Sequence, residues 1–212
     1  MNVSLQVIAN HRFAPRDFIG GDAALDFINT VAGRDQAPRD RLDSYSRLLE
    51  WSARADLLPE KLIRILARRA QAEPAAAAKA LARAKALREV MYAIVTAVIS
   101  DRVPPKAALA LLGEYWIAGT RAFELRFSGG RVAPGLDANA ADLDLIASLA
   151  AYRLVENVLP LPVDRLRLCA GSDCAWLFID SSKAGRRRWC DMAVCGNKAK
   201  SRRFYARERK AI

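Results

Sequence analysis

Four cysteines carry the clearest chemical signal in the chain. Cys169, Cys174, Cys190 and Cys195 are its whole complement of thiols, spaced C-x4-C, fifteen residues, C-x4-C. Two short-range pairs separated by a small insert suit a structural Zn2+ site, because the metal takes four tetrahedral ligands and each pair supplies two sulfurs from one tight turn. Small or turn-prone residues lie inside each pair: Ala170-Gly171-Ser172-Asp173 in the first, Asp191-Met192-Ala193-Val194 in the second. Two disulfides and unligated or redox-active thiols are the alternatives. The start Met1-Asn2-Val3-Ser4-Leu5-Gln6 has neither a basic n-region nor a long apolar stretch, so a reducing, cytoplasmic compartment is expected, where disulfides are rare.

The charge points the same way. The chain carries 34 basic and 23 acidic side chains, a formal +11. From Arg165 to the end there are thirteen basic residues against four acids, and the rest of the chain is close to neutral. Four thiolates with one Zn2+ contribute −2, which leaves the segment at about +7. A basic segment on a near-neutral body implies a polyanionic partner for the segment alone, with a solvated tail as the plain alternative. A stretch this short and poor in large apolar side chains builds little core, so metal ligation would supply most of its folding free energy.

Past Gly196-Asn197 the pattern predicts a helix over Lys198–Lys210, free of Gly and Pro. Lys198, Arg202, Tyr205 and Arg209 share one face; Lys200, Arg203, Arg207 and Lys210 share its neighbour, and Phe204 is available for docking. A basic helix braced by a metal knuckle can read a DNA groove or backbone. Asn197 and the arginines, with Arg186, Arg187 and Arg188 upstream, can reach base edges, while Lys198 and Lys200 suit phosphate.

The elements that must position this site are mostly helical. Apolar periodicity predicts helices over Ala23–Val31, Ser44–Ala55 (Asp43 and Ser44 as N-cap candidates), Pro59–Ala72, Ala75–Ser100, Lys106–Ala118 and Asn139–Val158. Phe123, Leu125 and Phe127 alternate with polar neighbours ahead of Ser128-Gly129-Gly130, which predicts a β-hairpin. Leu159-Pro160-Leu161-Pro162 reads as a linker, and Arg165–Leu168 as a strand leading into the first cysteine pair. The fold class is therefore mainly α with a small β-hairpin, α+β overall, with a helical N-terminal domain over 1–158, a linker over 159–164 and a small zinc-binding module over 165–212. Trp51 and Trp116 read as core or dimer contacts. Asp26, Asn29 and Thr30 lie close together on the first helix and could orient a small ligand, or cap and tie down a neighbouring loop.

The run Cys169…Cys174…Phe178-x-Asp180-x-Ser182…Arg188-Trp189-Cys190-x-Met192-x2-Cys195-Gly196-Asn197-Lys198 resembles the CGNR zinc-finger family. Gly21-Asp22-Ala23-Ala24-Leu25-Asp26-Phe27-Ile28-Asn29-Thr30 looks like the start of the ABATE domain that accompanies it. The resemblance implies a treble-clef-like module, one structural zinc, and a bacterial stress-response transcription regulator whose zinc finger meets double-stranded DNA while the N-terminal domain senses a small-molecule effector or forms a homodimer. One position departs from the family pattern: the name-giving arginine is Lys198 here, which keeps the charge and loses the planar bidentate fork.

Other classes have less to stand on. The longest uncharged stretch in the most apolar region, Val90–Ser100, is eleven residues, too short to cross a bilayer. The chain holds one histidine, His11, and no G-x-x-x-x-G-K-[ST], G-x-S-x-G or H-E-x-x-H motif, so no enzymatic activity is expected. Two alternatives to a DNA-binding regulator stay open: an RNA- or ribosome-associated zinc-ribbon protein stacking bases on Trp176, Phe178 or Trp189, and a zinc-knuckle protein-interaction module.

Overall fold

The computed structural model describes residues 5–202. Its first ordered elements are short. Strand β1 (Gln6–Val7) precedes helix α1 (Ala23–Ile28), then β2 (Val31–Ala32) and β3 (Arg39–Asp40). The three strands form one small sheet in the order β1-β3-β2, with β1 parallel and β2 antiparallel to β3.

All six residues of α1 are buried. Asp22 caps its start by accepting from the Ala24 N–H at 2.8 Å, and is held in turn by a two-point contact with Arg153 at 2.8 and 3.2 Å. Gly20 lets the preceding chain pass close, since a Cβ there would lie 2.8 Å from both Leu25 Cβ and Asp26 Oδ1. The periodicity predicted helix to Val31, but α1 stops at Ile28. Arg34 donates to the Ile28 and Val31 carbonyls at 2.6 and 3.0 Å, satisfying acceptors that another turn would have used.

The larger helices follow the apolar pattern. Helix α2 (Tyr45–Arg54) is capped by Ser44, whose hydroxyl accepts from Arg47 N–H. Then come α3 (Glu60–Ala72), α4 (Pro74–Ile99) and α5 (Lys106–Arg121). Pro74 sits in the first turn of α4, where its missing N–H costs nothing. Hairpin β4 (Phe123–Ser128) and β5 (Arg131–Leu136) pairs Phe123 with Leu136 and Ser128 with Arg131. Helix α6 (Leu145–Arg153) starts six residues later than its pattern predicted, because 138–140 form a 3-10 turn and Asp142 Oδ1 caps Asp144 N–H. It runs on as a π-turn over Leu154–Val158. Helices α5 and α6 approach closely at Gly119, where a Cβ would run into the Ser148 carbonyl and Tyr152 Cβ.

The core gathers α1, α2, α4 and α6 around Phe27, Trp51, Leu87, Met91 and Ile146, all fully buried. Trp51 is a core residue; Trp116 is half-buried and donates its Nε1–H to Glu156. A buried ionic knot ties α4 to the small sheet. Arg88 grips Asp40 at 2.8 and 3.1 Å and donates to Thr30 Oγ1, while Lys85 lies 3.0 Å from the same carboxylate.

Candidate metal centre and nucleic-acid interface

The cysteine segment is built on strands β6 (Leu166–Leu168) and β7 (Leu177–Ile179), antiparallel with Leu166 opposite Ile179. The first cysteine pair forms the turn between them. Cys169 N–H donates to Trp176 O at 2.8 Å and Cys174 N–H to Gly171 O at 3.1 Å. Space at Gly171 is tight: a Cβ there would sit 3.2–3.4 Å from Cys174 Cβ and the sulfurs of Cys195 and Cys169, which would have to give by a few tenths of an ångström. After β7, buried Asp180 organises the return loop, accepting from Ser182 Oγ, Ser182 N–H and Arg187 N–H. These donors, the Ser182 hydroxyl foremost, hold its carboxyl down at about 2. The second pair opens a helix. Asp191 accepts from Val194 N–H, a π-turn spans Met192–Gly196, and 197–202 are helical.

This arrangement brings all four sulfurs within 4.8 Å of one another. Cys174 and Cys190 are 3.6 Å apart, Cys190 and Cys195 3.7 Å. A tetrahedron with Zn–S of about 2.3 Å has edges of roughly 3.8 Å. Backbone N–H groups of Gly171 and Cys190 point at Cys169 Sγ, each at 3.4 Å, as a thiolate would require. The protons tell the same story. Cys169 is pushed down to about 2 because the Cys174 and Cys190 thiols donate to it. Giving up those hydrogen bonds pushes Cys174 and Cys190 up, and burial does the same to Cys195. Left to protons alone the cluster holds one thiolate among three thiols; all four sulfurs become thiolates only with a cation among them, and the four cysteines fit one structural Zn2+. A hairpin knuckle followed by a helical segment that carries Cys195, with Cys190 just ahead of its N-cap Asp191, is the treble-clef-like arrangement the resemblance implies.

The module is fastened to the body by shared structure. Asn29 donates to Leu177 O at 2.8 Å and accepts from Leu177 N–H at 2.9 Å. Gly20 O accepts from Ile179 N–H, Val31 O from Trp176 Nε1–H, and Cys174 O from Gly33 N–H. Leu166 and Leu177 belong to the main core. Arg41 lies over the Trp176 ring, 4.7 Å from its centroid.

Several residues singled out in the sequence have structural duties instead. Asn29 clamps β7, and Thr30 donates to Phe27 O while accepting from Arg88. Both side chains are buried, at 1% and 2% exposure. Asp26 is buried and accepts from Gly20 N–H at 2.8 Å; burial pushes its carboxyl up to about 7, with Asp22 and Asp17 adding to the rise. Arg187 is also committed: it donates to Cys190 O at 2.6 Å and covers the Phe178 ring. Trp176 and Phe178 lie in the core and offer no face for base stacking.

The rest of the cationic set is on the surface. Arg186, Arg188, Asn197, Lys198, Lys200 and Arg202 are exposed. Lys198 Nζ meets Asp173 at 2.8 Å, with Arg202 3.9 Å from the same carboxylate. Asn197 Nδ2 donates to Ala193 O. Arg203, Arg207 and Arg209, and the part of the expected Lys198–Lys210 helix beyond residue 202, lie outside the described residues. Sequence reasoning missed three body arginines. Arg16, Arg39 and Arg41 line a cleft of about 320 Å³ shared with Trp176, Cys174, Lys198 and the acids Asp17, Asp173 and Asp191. They come from separate loops and a two-residue strand, so no period marks them.

Two family models match the chain. One, described as "CGNR zinc finger", covers residues 165–208. The other, ABATE, described as "Putative stress-induced transcription regulator", covers 21–158. The chain belongs to the ABATE family. The two ABATE-to-CGNR matches fall in the order the motifs gave, and the four thiols lie inside the second. No curated protein matches the chain. Among the described residues of this ABATE protein, no helix is long and apolar enough to cross a membrane.

Proposed function

We propose that this ABATE protein is a stress-responsive transcription regulator that grips duplex DNA with its zinc module. The observation that carries the reading is the metal-braced helix at 197–202, which opens beside Cys195 and presents Lys200 and Arg202 to solvent. Arg186 and Arg188 project from the loop before the second cysteine pair, and among the described residues they and Lys200 form no ion pair with an acid. Arg16 and Arg39 extend the cationic rim from the body side of the cleft. In this reading such residues meet phosphate oxygens and set the protein's register on a duplex, and Asn197, exposed with its Nδ2 also donating to Ala193 O, supplies a base-edge contact. Of the three aromatic side chains that could stack bases, Trp176 and Phe178 are buried and only Trp189, half-buried with Arg188 over its ring, keeps part of its surface, which favours duplex over single-stranded RNA.

Filter binding of the zinc-loaded chain to duplex DNA and to RNA at two salt concentrations tests the reading. DNA is expected to bind more tightly than RNA, with a steep salt dependence. Lys200→Ala with Arg202→Ala should reduce the slope of log K against log salt by about 0.9 for each phosphate that is no longer neutralised, with zinc content unchanged. Background-level retention of DNA, or equal affinity of that variant, refutes it.

A further inference from the structure

The four sulfurs of the metal centre are not equivalent. Cys169, Cys174 and Cys190 are buried, whereas Cys195 is only partly so. Cys169 Sγ accepts from the Gly171 and Cys190 N–H groups. Among the described residues, the one hydrogen-bonding contact of Cys195 Sγ is with Cys190 Sγ, at 3.7 Å. Cys195 also lines two clefts: the one shared with the body arginines, and a second of about 200 Å³ bounded by the knuckle loop 170–173, Lys198 and Arg202. The missing side chain at Gly171 keeps the second cleft open to the sulfur, since a Cβ there would sit 3.3 Å from Cys195 Sγ.

A metal-coordinating thiol is deprotonated. The reactivity of a thiolate rises with its exposure and falls when donors draw off its charge. Cys195 has the exposure and lacks the donors, and Cys190 stands beside it as a resolving partner. We infer that Cys195 is an oxidation site for peroxides, through which the module loses its zinc. Cys195 Sγ attacks one oxygen of hydrogen peroxide, the O–O bond breaks, hydroxide leaves and the sulfur becomes a sulfenic acid. Cys190 Sγ then attacks that sulfur and displaces a second hydroxide. Two thiolates give up two electrons to form one disulfide, and one peroxide is reduced to two hydroxides. Cys169 and Cys174 alone are too few to complete a structural zinc site, and the helical segment at 197–202 loses the brace it opens from. That this releases DNA rests on the function proposed above; the chemistry at Cys195 does not.

Hydrogen peroxide added to the full, zinc-loaded chain tests this, with zinc release read by a chelating dye and cysteine pairing by peptide mass spectrometry. Loss of the zinc together with a Cys190–Cys195 disulfide is expected, reversed by dithiothreitol and added zinc. Cys195→Ser can fail simply by binding no metal, so alkylation of the untreated wild type supplies a second readout. With limiting N-ethylmaleimide, Cys195 should carry at least about ten times as much of the first adduct as Cys169. Three results overturn the inference: zinc that stays bound while glutathione in the same tube is fully oxidised, a first disulfide that excludes Cys195, or a first adduct on any of the other three cysteines. Failure of the untreated chain to bind DNA refutes only the proposed function, because zinc release and pairing are read without DNA.

Discussion

Asn29→Ala isolates the contact that holds the zinc module to the body. Leu177 sits opposite Leu168 but turns its N–H and C=O away from β6, and the Asn29 amide answers both, as a neighbouring strand would. Both residues are 1% exposed, so no water replaces the missing amide. Each stranded backbone group costs about 1–3 kcal/mol. The variant should therefore lose about 2–6 kcal/mol, a large share of the roughly 5–15 kcal/mol typical of a folded chain. Urea unfolding of the zinc-loaded protein reads this as a lower midpoint at unchanged slope. A chelator should also strip zinc faster, because β7 leads out of the first cysteine pair. Asn29→Asp adds a second readout. Its carboxylate accepts from Leu177 N–H but faces the Leu177 carbonyl, so protonation should restore stability as pH falls. A loss under about 0.5 kcal/mol for Asn29→Ala would show that the clamp contributes no more than an ordinary surface contact.

Two further predictions concern buried charge. Asp26 is raised from 3.8 to about 7 by burial, so the folded chain keeps a proton that the unfolded chain has released between those values. Stability should fall as pH rises through that window, and ionised Asp26 costs at most about 4 kcal/mol above it. Asp26→Asn should flatten the profile and raise the melting temperature at pH about 8; an unchanged profile removes Asp26 as the cause. Arg88→Met strands Asp40, which is 0% exposed, and should cost about 3 kcal/mol by calorimetry, at the low end for a broken buried pair because Lys85 remains 3.0 Å away. Arg88→Lys should not restore the loss, since one ammonium cannot grip Asp40 at two points and donate to Thr30; full rescue would contradict that geometry.

Elements with a repeating pattern were legible in the sequence. The apolar stripes of α2 to α5 and the alternation of β4 located them to within a few residues, and the cysteine spacing gave the metal centre outright. What stayed hidden was set by single long-range contacts. The strands of the β1-β3-β2 sheet are two residues each, too short for a period of two to show. Helix α1 ends early because of Arg34, six residues beyond its last turn. Asn29 and Thr30 looked free to face a ligand because their partners, Leu177 and Arg88, are 148 and 58 residues away. The proline-rich segment at 159–162 reads as a linker, which would let the zinc module unfold apart from the body. Leu159, Leu161, Leu166 and Leu177 pack with the main core instead, and loss of the metal should weaken the whole chain in one transition.

The central claim is that four thiolates hold one zinc ion, which both closes the C-terminal module and presents its cationic helix. Zinc absorption spectroscopy on the purified chain, with metal and free-thiol counts, tests it most directly. One zinc per chain with four sulfur neighbours at about 2.3 Å is predicted. Nitrogen or oxygen in the first shell, substoichiometric metal, or cysteines paired as disulfides in the native protein would contradict it.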